Sequence, residues 1–115
     1  MSQTRRFIQP FTIIDATSMG ANFQTNGLDI SNVDDISIVY EWSGTGCVGT
    51  LYVLVRNGET SPWSTLDVQP VAAIATNSGN NNIQITNVSF KEIALQYARS
   101  AGTGTLSAWL TGKGR

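Results

Sequence analysis

Three tryptophans, Trp42, Trp63 and Trp109, are the side chains of this sequence best suited to making contacts. A solvent-facing indole offers a rigid apolar ring and one N–H donor. It can stack on a sugar or anchor a protein interface. Phase separates the three. Trp109 is out of step with Leu106, Ala108 and Leu110, so it is expected to face away from their core. Trp42 is in step with Ile36, Ile38 and Tyr40 but stands last before a loop, at the rim of the core. Trp63 follows Ser61-Pro62 and is placed to cover one end of the core. Arg5, Arg6 and Phe7 in the polar first residues, together with Arg99, complete a candidate contact set with Trp42 and Trp109. The cations at the ends of the chain can reach an acidic neighbouring surface.

Nothing comparable supports catalysis. The chain has no histidine, so a Ser-His or Cys-His nucleophile pair cannot form. Zinc loses its usual nitrogen ligand, and the single cysteine, Cys47, cannot replace it. Asp34 and Asp35 are adjacent, which turns them to opposite faces of a strand or sets them in the turn before Ile36. Gly44-x-Gly46 and Gly102-x-Gly104 precede strands, not helix N-termini, so they make no phosphate cradle. Cys47 lies among glycines with no nearby cation and reads as an inert small residue. The chain is therefore expected to be no enzyme and to need no cofactor and no metal.

The elements that must position the contact residues are strands. Ile36, Ile38 and Tyr40 alternate with Ser37, Val39 and Glu41, and Thr50–Arg56 is the most β-branched run, expected to be buried on both faces. Ile93, Leu95 and Tyr97 alternate with Ala94 and Gln96. After a small-residue turn at 100–104, Leu106, Ala108 and Leu110 alternate again, which predicts a β-hairpin over Lys91–Lys113. Weaker strands are expected at 7–14, 21–30, 63–68, 71–75 and 83–85. Loops are expected at 15–20 and 43–49, and at the turn-forming Asn-Ser-Gly-Asn-Asn-Asn of 77–82. No segment carries a helical apolar stripe.

An internal repeat joins the two best-patterned regions. Ile36-x-Ile38-x-Tyr40-x-x-Ser43 matches Ile93-x-Leu95-x-Tyr97-x-x-Ser100, and each stretch runs on into Gly-Thr-Leu, at 49–51 and 104–106. Two hairpins of this kind bury their apolar faces by packing against each other. The fold class predicted is all-β: a single-domain antiparallel β-sandwich, jelly-roll-like, of about eight short strands. Residues 1–7 form a flexible N-terminal arm and 8–115 the β-sandwich domain.

Composition bounds the partners. Charged residues make up 13% of the 115-residue chain, against about 25% in soluble domains. Such a surface is cheap to desolvate and suits packing against copies of itself or a large partner. The net charge of −1 gives no field to draw the chain onto nucleic acid. The longest apolar run, Leu51–Val55, is too short to cross a membrane as a helix, and no secretory leader is read in the first residues.

The stretch Ile93-x-Leu95-x-Tyr97-x-Arg99-x-x-Gly102-Thr103-Gly104-Thr105-Leu106, on to Gly112-Lys113-Gly114, resembles the closing hairpins of small virion accessory proteins of tailed bacteriophages. Leu51–Gly58 followed by Trp63-Ser64-Thr65-Leu66 is similar in style. The resemblance covers roughly the last quarter and part of the middle of the chain. It implies a capsid decoration (cement) protein that binds and stabilises the outer head surface. It also implies a homo-oligomer, a trimer by that likeness, with the major capsid protein or another virion protein as partner, made in the host cytoplasm. The alternative from the residues is a carbohydrate-binding sandwich, a tail receptor-recognition or lectin-like module, using Trp42, Trp63 or Trp109.

Overall fold

The computed structural model describes residues 7–31, 33–58, 60–68 and 72–114, with side chains from residue 11 onward. Eight antiparallel strands form one continuous sheet, and no helix occurs among the described residues. They are β1 (Phe7–Ser18), β2 (Phe23–Gln24), β3 (Leu28–Asp29), β4 (Val33–Arg56), β5 (Ser64–Leu66), β6 (Ala73–Ile74), β7 (Ser78–Ile85) and β8 (Glu92–Gly114).

Two of these dominate. β4 has 24 residues and β8 has 23. They pair with each other from Val33↔Gly114 to Arg56↔Glu92. At about 3.3 Å per residue a straight β4 would reach roughly 79 Å. The longest dimension of the molecule is 52 Å. The two-stranded ribbon therefore bends, and its corner is where the register breaks, between Thr45 and Gly49. Bulges permit such corners.

The bend makes the sandwich. The N-terminal half of β4 and the C-terminal half of β8 form one layer, flanked by β7 and β1. The remaining halves form the second layer, flanked by β5 and β6 on one side and β2 and β3 on the other. Ile36, Ile38, Tyr40, Leu106 and Leu110 of the first layer share one core with Leu51, Val53, Ile93, Leu95 and Tyr97 of the second. The buried phase of β4 moves from even residues to odd ones across the corner, so both layers present apolar side chains inward.

The two hairpins expected from the sequence are thus one bent ribbon. Residues 93–97 do not pair with 106–110; they pair with 51–55, and 106–110 pair with 38–42. Period-2 alternation around a Gly-rich stretch fits a strand that turns a corner as well as one that turns back. The repeated segments do meet across one core, as the repeat predicts. Two similar strands running antiparallel give the corner an approximate local dyad.

The corner explains its glycines. Gly46 and Gly102 adopt φ of 62° and 85°, the left-handed region. Gly44 and Gly104 face each other in the register, and a Cβ on Gly104 would sit 2.5 Å from the Ser43 carbonyl oxygen. Asn77 braces the bend: its carbonyl accepts from the Gly44 N–H at 2.7 Å and its Oδ1 from the Gly46 N–H at 2.6 Å. Cys47 is buried here, its thiol 3.3 Å from the Thr103 carbonyl oxygen.

Other expectations are corrected locally. Residues 78–82 belong to β7, because pairing with Tyr40, Glu41 and Trp42 overrides the turn preference of Gly79-Asn80-Asn81. β1 continues through 15–18, read as loop, by way of register shifts. Asp34 and Asp35 lie within β4 rather than in a turn. Burial of 50–56 on both faces holds at Leu54, 5% exposed, and fails at Tyr52, 38% exposed.

Burial also raises the Tyr40 and Tyr97 phenols above their ordinary pKa range. The unfolded chain loses these protons first as pH rises past about 10. The unfolded state then binds fewer protons than the native one, so stability falls with pH in that window and is unaffected by these groups below it. Urea midpoints should drop between pH 9 and 11. The drop should be shallower in a Tyr40→Phe/Tyr97→Phe double variant.

Candidate binding site

The solvent face of the first layer carries the most distinctive surface. Odd residues of β4 from Ser37 to Ser43 and of the C-terminal half of β8 point outward, and the even residues of β7 lie opposite those of β4. One row across the layer reads Thr12, Trp109, Val39, Asn82; the next begins at Ser107 and runs through Glu41 to Asn80. Val39 is 47% exposed and Trp109 is half-buried. Alternation of Leu110, Ala108 and Leu106 inward forces Trp109 outward, as its phase predicts.

A groove of about 360 Å³ begins in the row next to Trp109 and is lined by Glu41, Trp42, Ser43, Ser78, Gly79, Asn80, Thr105 and Ser107. Trp42 is in that lining, but its phase turns its side chain to the inner face of the layer, against the core. The indole stacks on Tyr40, with ring centroids 5.8 Å apart, and donates its N–H to the Thr76 carbonyl at 3.0 Å. It lies across Gly79, where a Cβ would come within 2.7 Å of the ring. Ser107 Oγ accepts from the Ala16 N–H at 3.0 Å, which leaves its own proton to donate. Among the described residues the side chains of Glu41, Asn80, Asn82 and Trp109 find no hydrogen-bond partner. Glu41 is also the one charged side chain on β4, β7 and β8 within the outward rows from Ser37 to Ser43.

The six candidate contact residues do not come together. Arg5 and Arg6 lie outside the described residues, as does most of the arm read over 1–7. The Phe7 backbone opens β1 opposite Lys113. Arg99 is in the second layer near the corner, its Nε donating to the Gly102 carbonyl at 2.9 Å. Trp42 and Trp109 share a layer but project from its two faces. Trp63 sits on the outer side of the second layer, 4.1 Å beneath the Arg56 guanidinium, which also pairs with Glu92 at 2.9 Å. Arg56 and Glu92 are the last pair of the β4–β8 ribbon.

Two smaller cavities offer less. One of about 220 Å³ lies at the β4–β5 edge among Leu51, Tyr52, Leu66, Val68 and Ala72. Another of about 260 Å³ is bounded by Asp29, Ser31, Gly58, Lys91 and Glu92. The Ser31 N–H and hydroxyl, 2.9 and 2.7 Å from the Asp29 carboxylate, hold its pKa below the usual range. No group of three or more potential metal ligands occurs among the described residues.

Sequence reasoning missed Val39, Glu41, Asn80, Asn82 and Ser107 as neighbours of Trp109. The outward phase of Val39 and Glu41 was readable. The asparagines are hidden because Asn-Ser-Gly-Asn-Asn-Asn carries the residue types of a loop.

No protein-family model matches the chain, and no curated protein is significantly similar to it in sequence. Solved structures share its fold. The SPBc2 prophage-derived protein YomS superposes with a TM-score of 0.65 at 9% identity, over 97% of this chain and 98% of that one. The VP2 subviral particle protein of infectious bursal disease virus gives 0.59 at 17% identity, over 97% of this chain and 33% of that one. The CBM22-1 xylan-binding domain of Paenibacillus barcinonensis Xyn10C gives 0.54 at 8% identity, over 100% and 99%.

Proposed function

We propose that this chain is a non-enzymatic virion structural protein, a decoration or cement subunit that binds and stabilises a bacteriophage head. The observation that carries this reading is the end-to-end likeness in fold to a prophage-derived protein of the same extent. A likeness to a viral VP2 protein supports it. So does a surface with few charges, which loses little on desolvation against a lattice. In this reading the subunit is a homo-oligomer, a trimer, seated on the outer head surface against the major capsid protein or another virion protein. Arg5, Arg6 and Phe7 reach a neighbour, and many weak contacts repeated over the shell give retention by multivalency. Virions of the encoding phage, purified on a density gradient, should carry the protein. The free chain should have three times its 12.4 kDa mass in solution. Absence from purified particles would sink the proposal, and unchanged occupancy after deletion of residues 1–6 would remove the arm from it.

A second reading, a carbohydrate-binding module of a tail or a lectin-like domain, draws on the outward Trp109 and on the likeness in fold to a xylan-binding domain.

A further inference from the structure

We infer that the face built by Trp109, Val39, Glu41, Asn80, Asn82 and Ser107 is a binding site for a neutral oligosaccharide, with one pyranose ring stacked on the Trp109 indole. This rests on the second reading above and assigns its site and ligand class; it is compatible with a place on a virion.

The occupant follows from the chemistry of the face. The apolar part is two side chains, Trp109 and Val39, directly opposite each other in the register. That patch is far below the roughly 800 Å² per partner of a stable protein interface. It matches one face of a sugar ring, whose axial C–H bonds are apolar while its rim is hydroxylated. Around it stand groups suited to that rim. The Asn80 and Asn82 amides each donate and accept, the Glu41 carboxylate accepts from two hydroxyls, and Ser107 donates. Among the described residues none of these three longer side chains has a hydrogen-bond partner, so ligand hydroxyls would break no bond within the protein. The groove of about 360 Å³ that begins at Glu41, Asn80 and Ser107, one row from Trp109, lies within the roughly 300–1,000 Å³ range of small-molecule sites. It continues along the strands past Ser43, Ser78 and Thr105, which gives hydroxyl contacts to a second sugar unit.

Charge sets the ligand class. Glu41 is the one ionic group that β4, β7 and β8 bring to these rows, so a uronic or sialic acid would bring a carboxylate against a carboxylate. A neutral chain meets no such repulsion. The other two tryptophans are already engaged. Trp42 is held by Tyr40, Gly79 and Thr76, and Trp63 lies under Arg56.

The test is a glycan array probed with the full chain, followed by titration of xylohexaose, cellohexaose, maltohexaose and chitohexaose, with a hexagalacturonate as the acidic control. At least one neutral glycan should bind and quench or shift tryptophan fluorescence. Trp109→Ala should weaken that binding at least tenfold, and Glu41→Gln or Asn82→Ala should weaken it threefold or more. Tyr52→Ala, an exposed aromatic of the other layer, should leave it unchanged. Circular dichroism checks the fold of each variant, and the two polar variants carry the test if Trp109→Ala does not fold. If no glycan binds, both the second reading and the site fall. If a glycan binds equally well to Glu41→Gln and Asn82→Ala, or only acidic glycans bind, the reading stands and this site or its neutral class is wrong.

Discussion

Replacing Gly104 with alanine is expected to destabilise the protein by on the order of 3 kcal/mol, more than most single surface changes. The added Cβ would lie 2.5 Å from the Ser43 carbonyl oxygen and 2.8 Å from the Gly44 Cα, both backbone atoms. Neither can swing aside as a side chain would. The two strands would have to separate where the ribbon turns, and overpacking of that kind is not absorbed by repacking. Urea unfolding followed by tryptophan fluorescence reads the loss. A midpoint within experimental scatter of the parent's would show that the corner is looser than described. Gly46→Ala is the instructive comparison. It has open space for a Cβ but a φ of 62°, so its cost is conformational only, about 1–2 kcal/mol.

Tyr97→Ala is expected to cost about 3–5 kcal/mol, the range for emptying a buried aromatic site. Tyr97 is 0% exposed and belongs to the shared core. Its ring lies 5.7 Å from that of Phe23 and covers Gly49, where a Cβ would meet the phenol oxygen at 2.5 Å. Its hydroxyl donates to the Val48 carbonyl at 3.3 Å. Tyr97→Phe keeps the ring and loses only that long hydrogen bond, so it should cost about 1 kcal/mol or less. Thermal and urea unfolding of the pair separate ring packing from the hydroxyl. Near-equal losses in the two variants would move the main contribution to the hydrogen bond.

How far the sequence alone leads depends on which interactions decide each segment. The all-β class and the apolar phases of 36–40, 51–55, 93–97 and 106–110 are local properties, visible as alternation. The outward direction of Trp109 and the inward, rim position of Trp42 follow from those phases. The partner of each strand is not local. Residues 93–97 choose 51–55 over 106–110 because the ribbon must bend to bury both faces. Nothing in the alternation itself distinguishes a corner from a hairpin turn. The asparagines of β7 illustrate the opposite failure: intrinsic turn preference is weak beside eight ladder positions against β4. For the site, residue types pointed to the tryptophans. The neighbours that give Trp109 a ligand class come from three strands and required the register.

The long β4–β8 ribbon also sets how this chain finds its fold. Val33 must meet Gly114 and Arg56 must meet Glu92, so the central pairing closes loops of very different lengths at once. Contacts so distant in sequence make folding slow, in the millisecond-to-second range of β-sandwiches. A slip of two residues would keep every apolar side chain on its proper face and so is a natural kinetic trap. The corner penalises that slip, because only one alignment brings Gly44 opposite Gly104 and leaves room for both backbones. The glycines thus act as a registration mark for the whole sheet.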